Sequence, residues 1–187
     1  MNFKTMPRSA MFFALITGYS IAKDTVQPTT LVGKQAPAFS TTAVMMDGTE
    51  QSIDLNALKG QKVVLYFFPK TNTPGCDKQA KNFRDNMAQL EALGIKVIAI
   101  SCDSIKSLKK FQTKHHLPFI LVSDTRFHCD IAKQYGAAGF LNIFCKRKTF
   151  VIDEQGTIIE VFEKVVINEQ VAAIVAAYAA NKETTQA

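Results

Sequence analysis

No C-x-x-C pair occurs in this 187-residue chain, although it holds four cysteines: Cys76, Cys102, Cys129 and Cys145. Their dispersal excludes a zinc ribbon and a thioredoxin-type redox pair. No apolar run beyond residue 22 reaches the length that crosses a bilayer. No basic stripe is longer than Lys146-Arg147-Lys148, and aromatic residues do not interleave with the basic ones. The net charge of +6 and the pI near 9.1 therefore do not mark a nucleic-acid surface. Internal repeats and low-complexity segments are missing as well. Three histidines, His115, His116 and His128, have no spacing that converges ligands on a metal, and they read as solvated or capping residues.

What is present fits one globular domain. The chain is long enough for a full core, and 47% hydrophobic with 20% charged residues is ordinary for a soluble protein. Only the first 22 residues stand apart. Lys4 and Arg8 precede an uncharged apolar stretch, which ends in Ser20-Ile21-Ala22 just before Lys23. A basic zone, a short apolar zone and a small-x-small end are the requirements of a secretory signal peptide. The expectation is a leader over 1–22, a domain over 23–187 and an exported, periplasmic protein without stable membrane association after cleavage; an uncleaved anchor is the alternative.

Along the domain, Asp47-Gly48 between two β-like runs predicts an N-terminal hairpin, and a brief helix before Gly60 follows. Residues 62–68, 96–101 and 119–124 are apolar runs rich in β-branched and aromatic residues, the pattern of strands buried on both faces. Helical spacing follows each: Ala80, Phe83, Met87 and Leu90 up to Gly94, then Ile105, Leu108 and Phe111, then a helix around 129–135. Asn72 or Thr73 is placed to cap the first of these, and Asp103 or Ser104 the second. Alternation over 62–136 implies a parallel sheet. A hairpin over 149–163 and a last helix from about Asn168, with Val171, Ile174, Val175 and Tyr178 inward, complete the chain. This order predicts an α/β, thioredoxin-like fold: a mixed central sheet flanked by helices, with an N-terminal β-hairpin.

Cys76 falls in the first turn of a helix just beyond a buried strand. Unpaired N–H groups and the helix dipole favour an anion there, and a thiolate is such an anion. Lys70, Lys78 and Lys81 add positive charge, and Asp77 opposes it.

Pro69-x-x-x-Thr73-x-x-Cys76 resembles the peroxiredoxin active-site motif. The stretch 63–86, the Val-Ser-Asp at 122–124 and the run 147–156 resemble the peroxiredoxin Q subfamily, also called bacterioferritin comigratory protein, over roughly residues 31–181. The resemblance implies a peroxidase for hydrogen peroxide and organic hydroperoxides that needs no metal or organic cofactor. Cys76 would be the peroxidatic cysteine, Thr73 would hydrogen-bond substrate or thiolate, and Pro69 would shield the sulfur. Arg147, in Arg-x-Thr-Phe, would present fixed donors to thiolate and peroxide.

The sequence departs from that subfamily at the resolving cysteine. The position five residues after Cys76 is Lys81, and the corresponding position on the next helix is Gln112. Three expectations stand open. Cys102, Cys145 or Cys129 resolves Cys76, with Cys102 first; an external thiol, thioredoxin-like or glutathione-like, reduces the sulfenic acid; or Cys129 and Cys145 form a structural bridge. A monomer is expected, with a dimer as the alternative. Two rival functions are a thiol–disulfide oxidoreductase and a non-catalytic binding protein with the same fold.

Overall fold

Asp47-Gly48 reverses the chain between β1 (Ser40–Val44) and β2 (Glu50–Asp54). The Asp47 carboxylate accepts from the Thr49 N–H and hydroxyl, and Gly48 takes a φ of 80°. In this computed structural model, which describes residues 31–125 and 129–185, a 3-10 turn at Leu55–Leu58 leads into the sheet. The leader read over 1–22 and the position of His128 lie outside the described residues. The elements that follow are β3 (Lys62–Phe67), α1 (Pro74–Asp85), α2 (Met87–Ala92), β4 (Ile95–Ser101), α3 (Ile105–His115), β5 (Ile120–Ser123), α4 (Asp130–Gln134), β6 (Lys148–Ile152), β7 (Ile158–Phe162) and α5 (Gln170–Thr185). No helix among the described residues is long and apolar enough to cross a membrane.

Among the described residues, seven strands make one mixed sheet in the order β2-β1-β5-β4-β3-β6-β7. β3, β4 and β5 run parallel, as the strand–helix alternation demands. β6 lies antiparallel beside β3, and the N-terminal hairpin adds antiparallel to β5. The α/β, thioredoxin-like architecture expected from element order is the one observed.

Period-two alternation divides the core into two halves. On one face Val64, Tyr66 and Phe68 pack with Ala80, Phe83, Leu108, Phe111, Ile174 and Tyr178, under α1, α3 and α5. On the other Val63, Leu65 and Phe67 pack with Ile98, Ile100, Tyr135 and Phe150. Tyr66 stacks on Phe83 with ring centroids 4.5 Å apart, a contact worth about 0.5–1.5 kcal/mol beyond its buried area. Tyr178 clamps the sheet from α5, donating its hydroxyl to the Val63 and Ile152 carbonyls of β3 and β6.

Local details correct the sequence reading at four points. The helix read from Ala80 through Leu90 is broken at Asn86, whose side chain donates back to the Asn82 carbonyl and competes with the helix ladder. Thr73 occupies the N-cap of α1, but its hydroxyl donates to the Lys70 carbonyl and makes no cap bond. Ser104 rather than Asp103 caps α3, because Asp103 is engaged by the Thr71 N–H and the Ser101 hydroxyl. His115 is neither solvated nor a cap: it is buried at the end of α3, edge-on to Phe111, with Nε2 3.3 Å from an Asp77 oxygen.

Candidate active site

The segment after β3 must leave a buried strand and start a helix within seven residues. It does so through Pro69, which follows the strand, and Asn72 at a φ of 57°. Two bonds to the β4–α3 region hold the turn: the Thr71 N–H donates to Asp103 at 2.8 Å, and the Thr71 and Ser107 hydroxyls pair at 2.9 Å. Pro74 then opens α1, where its missing N–H costs nothing. Cys76 follows in the first helical turn, 2% exposed, with its sulfur in the half-core that contains Tyr66 and Phe68.

Arg147 comes to this sulfur from 71 residues away. Its position just before β6, antiparallel to β3, carries the guanidinium across to α1. Nη2 lies 3.3 Å from Cys76 Sγ. The other terminal nitrogen donates to the Gln79 side-chain oxygen. Gln79, one helical turn after Cys76, donates in turn to Gln170 at 3.0 Å, and Gln170 donates to the Thr149 hydroxyl at 2.6 Å. Gln79, Gln170 and Thr149 are all buried. The chain of bonds fixes the guanidinium plane from behind, so its donors reach the sulfur without a conformational search.

Gln79 and Gln170 were not singled out from the sequence. A polar residue three positions after Cys76 on an otherwise apolar helix face was the available signal for Gln79. Gln170, 91 residues further on, carries no local signal.

Tyr66 also faces the site. Its hydroxyl is buried and makes no hydrogen bond among the described residues, and Cys76 and Arg147 are its electrostatic neighbours. Burial first, then the Cys76 charge, holds the phenol well above its ordinary range, so it stays a neutral donor. Gly75 packs so closely that a Cβ there would stand 3.2 Å from Arg147 Nη2.

The structure thus brings Arg147 to Cys76, with Thr73 at the N-cap of the helix that carries Cys76. It does not bring the other cysteines there. Cys129 and Cys145 are buried in the half-core on the opposite face of the sheet, and Cys102 packs against that half. Cys102 and Cys129 are bonded as a disulfide with Cα atoms 5.7 Å apart, and Cys145 Sγ lies 3.4 Å from Cys102 Sγ. The bridge expected between Cys129 and Cys145 is therefore formed by Cys102 instead, because the end of β4 points Cys102 at the start of α4. The Cys145 thiol is pushed up to about 12, mainly by burial and further by the nearby Asp124 and Asp103 charges. Lys81 is exposed on α1, and Gln112 is buried with its amide donating to the Met45 carbonyl.

Residues 32–161 match the AhpC/TSA family. A putative peroxiredoxin bcp of Coxiella burnetii is 41% identical over 150 residues, covering 77% of this chain and 95% of that protein. Peroxiredoxin Bcp of Escherichia coli is 36% identical over 137 residues, covering 70% and 84%. Among solved structures, peroxidoxin BcpB of Mycobacterium tuberculosis superposes with a TM-score of 0.69 at 27% identity, covering 80% of this chain and 96% of the other.

Proposed function

The chain belongs to the AhpC/TSA family and is a thiol peroxidase of the peroxiredoxin type, and from that premise we propose that Cys76 is its peroxidatic residue and that an external thiol recharges it. The observation that carries the assignment is the Arg147 guanidinium 3.3 Å from the Cys76 sulfur, anchored from behind by Gln79.

In the proposed cycle the Cys76 thiolate attacks the terminal oxygen of a hydroperoxide. The S–O bond forms as the O–O bond breaks, and the departing oxygen leaves as water or alcohol after taking a proton. Negative charge shifts from sulfur toward the leaving oxygen, and Arg147 lies where its fixed donors serve both ends of that shift. Pro69 and the buried setting keep bulk water from the sulfur, and the Thr73 hydroxyl is close enough in the chain to contact a bound peroxide. One external thiol then attacks the sulfenic acid, releasing water and leaving a mixed disulfide. A second thiol restores Cys76 and departs as the oxidised reductant.

The external route is favoured over an internal resolver by the sheet itself. A disulfide requires Cα atoms within about 7 Å. Cys102, Cys129 and Cys145 belong to the half-core on the far face, and the strands lie between them and Cys76. A thioredoxin-like protein or a small thiol fits as reductant. Export to an oxidising envelope rests on residues 1–22, and a Cys102–Cys129 disulfide suits such a compartment.

Peroxide consumption with dithiothreitol as reductant tests the whole reading. Cys76→Ser is expected to abolish turnover, and a chain with Cys102, Cys129 and Cys145 all changed to serine is expected to keep it. Turnover by Cys76→Ser sinks the assignment of the nucleophile. A triple variant that stalls after one equivalent of peroxide, while still consuming that equivalent, sinks the external route.

A further inference from the structure

The sulfur-rich cluster on the far face of the sheet has no part in the cycle above, and its geometry has a use of its own. Cys102 directly follows β4, and Asp124 directly follows β5. These are the carboxyl ends of two adjacent parallel strands, the place where α/β sheets open a crevice for ligands. A Cys102 sulfur, a Cys129 sulfur and an Asp124 carboxylate oxygen lie within 4.8 Å of one another. Cys145 adds a third sulfur, 3.4 Å from that of Cys102. Three of these donors lie within 4.8 Å of one another and the Cys145 sulfur lies beside that of Cys102, so four donors from separate parts of the chain, residues 102, 124, 129 and 145, gather around the Cys102 sulfur.

We infer that, once the Cys102–Cys129 disulfide is reduced, Cys102, Cys129, Cys145 and Asp124 bind one tetrahedral thiophilic divalent cation of the zinc type. Three thiolates and a carboxylate are a donor set such an ion takes, with metal–sulfur bonds near 2.3 Å and metal–oxygen bonds near 2.0–2.2 Å. Around a tetrahedral centre those lengths put neighbouring sulfurs about 3.8 Å apart, a few tenths of an ångström from the observed Cys102–Cys145 spacing.

The support behind the donors is also in place. The two Asp124 oxygens accept from the N–H groups of Ile131 and Ala132 at 3.1 and 2.8 Å, which orients the carboxylate while leaving lone pairs for a metal. The backbone around it is tied together: Asp124 N–H donates to the Ser101 carbonyl, and Cys129 N–H donates to the Asp124 carbonyl. Cys145 is held by its antiparallel bridge to Ala138. Cys129, Cys145 and Asp124 are buried, and Cys102 is the half-exposed member through which a reductant and an ion can enter.

The site is then governed by redox state. Two equivalents of thiol reduce the disulfide to two cysteine thiols and leave as one oxidised disulfide. The arriving cation displaces the three thiol protons. In the oxidised form two of the four donors are consumed in the S–S bond, and the site is closed to metal.

Cobalt(II) is the direct probe, because tetrahedral thiolate coordination gives sulfur-to-cobalt charge-transfer bands in the near ultraviolet and intense visible d–d bands. Full-length protein reduced with a phosphine under argon is expected to bind one cobalt per chain, to lose the bands when zinc(II) is added, and to show none before reduction. Cys145→Ser and Asp124→Asn are each expected to weaken binding at least about tenfold, with the fold checked by circular dichroism, and Cys76→Ser is expected to bind as the parent does. Absence of the bands in the reduced protein overturns the site. So does undiminished binding by Cys145→Ser, or loss of the bands in Cys76→Ser.

Discussion

Arg147 Nη2 stands 3.3 Å from Cys76 Sγ, within hydrogen-bonding range of a sulfur acceptor. The guanidinium is held by Gln79 rather than by an acid, so none of its charge is neutralised by a partner at that bond. Replacing it with alanine removes a preorganised donor from both the attacking and the leaving atom. The expected result is a fall of about 10²-fold in the rate of Cys76 oxidation, equivalent to about 2.7 kcal/mol of transition-state stabilisation. Arg147→Lys should recover little, since one ammonium cannot reach Sγ and Gln79 together. Stopped-flow measurement of the peroxide step decides this, and a variant within a factor of two of the parent refutes it.

Gly75 offers a finer probe of the same contact. A methyl group there would sit 3.2 Å from Nη2, so the guanidinium must yield by a few tenths of an ångström. Alanine also favours a helix over glycine by up to about 1 kcal/mol. Gly75→Ala is therefore expected to slow peroxide reduction several-fold without lowering the denaturation midpoint. A parallel loss of rate and stability would mean that the helix start, not the arginine, had been disturbed.

The Gln79–Gln170 bond links α1 to α5 and keeps the arginine in place through buried amides. Gln79→Met preserves length but removes the acceptor for Arg147 and leaves Gln170 short of a donor. An unsatisfied buried group costs about 1–3 kcal/mol, and the peroxide step should slow roughly tenfold as the guanidinium loosens. Gln170→Met should cost similar stability with a smaller rate effect, being one bond further from the arginine. Urea denaturation together with single-turnover kinetics separates the two variants, and equal rate losses would contradict the order of the chain.

These two glutamines mark the limit of what the sequence made legible. Strand and helix order was readable because runs such as 62–68 are locally apolar, and Cys76 with Pro69 and Thr73 forms a contiguous motif. Arg147 was found only through its own short motif. The partner of Cys102 was not readable, although Ile98, Ile100 and Cys102 share one side of β4 by alternation. Nothing local says which side of the sheet α1 covers, and that decides whether Cys102 meets Cys76 or Cys129. The break at Asn86 was hidden for a related reason, since Phe83, Met87 and Leu90 keep helical spacing straight across it.

The Tyr66 hydroxyl, beside the site, has no hydrogen-bond partner among the described residues. Phenylalanine keeps the stack on Phe83 and removes only the oxygen. Because no bond is lost in the resting protein, Tyr66→Phe is expected to hold or raise stability by up to about 1 kcal/mol. The peroxide step should nevertheless slow several-fold, since a neutral donor beside Cys76 and Arg147 is lost to the substrate. If the rate is unchanged and stability alone rises, the hydroxyl serves no substrate contact.

His115 ties stability to pH through its position behind α1. Its ring is 5% exposed, and burial, the largest influence, holds its pKa below the ordinary value. Asp77 pulls in the other direction from 3.3 Å, while Lys114 and Lys81 add to the lowering. Arg84 engages the His115 carbonyl from α1, so no further carboxylate is needed to hold the end of α3. The unfolded chain takes up its proton near pH 6.5, whereas the folded chain does so only at lower pH. Between those points the unfolded state binds more protons, so stability falls as pH drops through about 6.5. His115→Gln removes that proton uptake. The parent is expected to lose more of its urea midpoint than His115→Gln between about pH 7.5 and 5.5, and identical slopes would show that Asp77 fully offsets the burial of the ring.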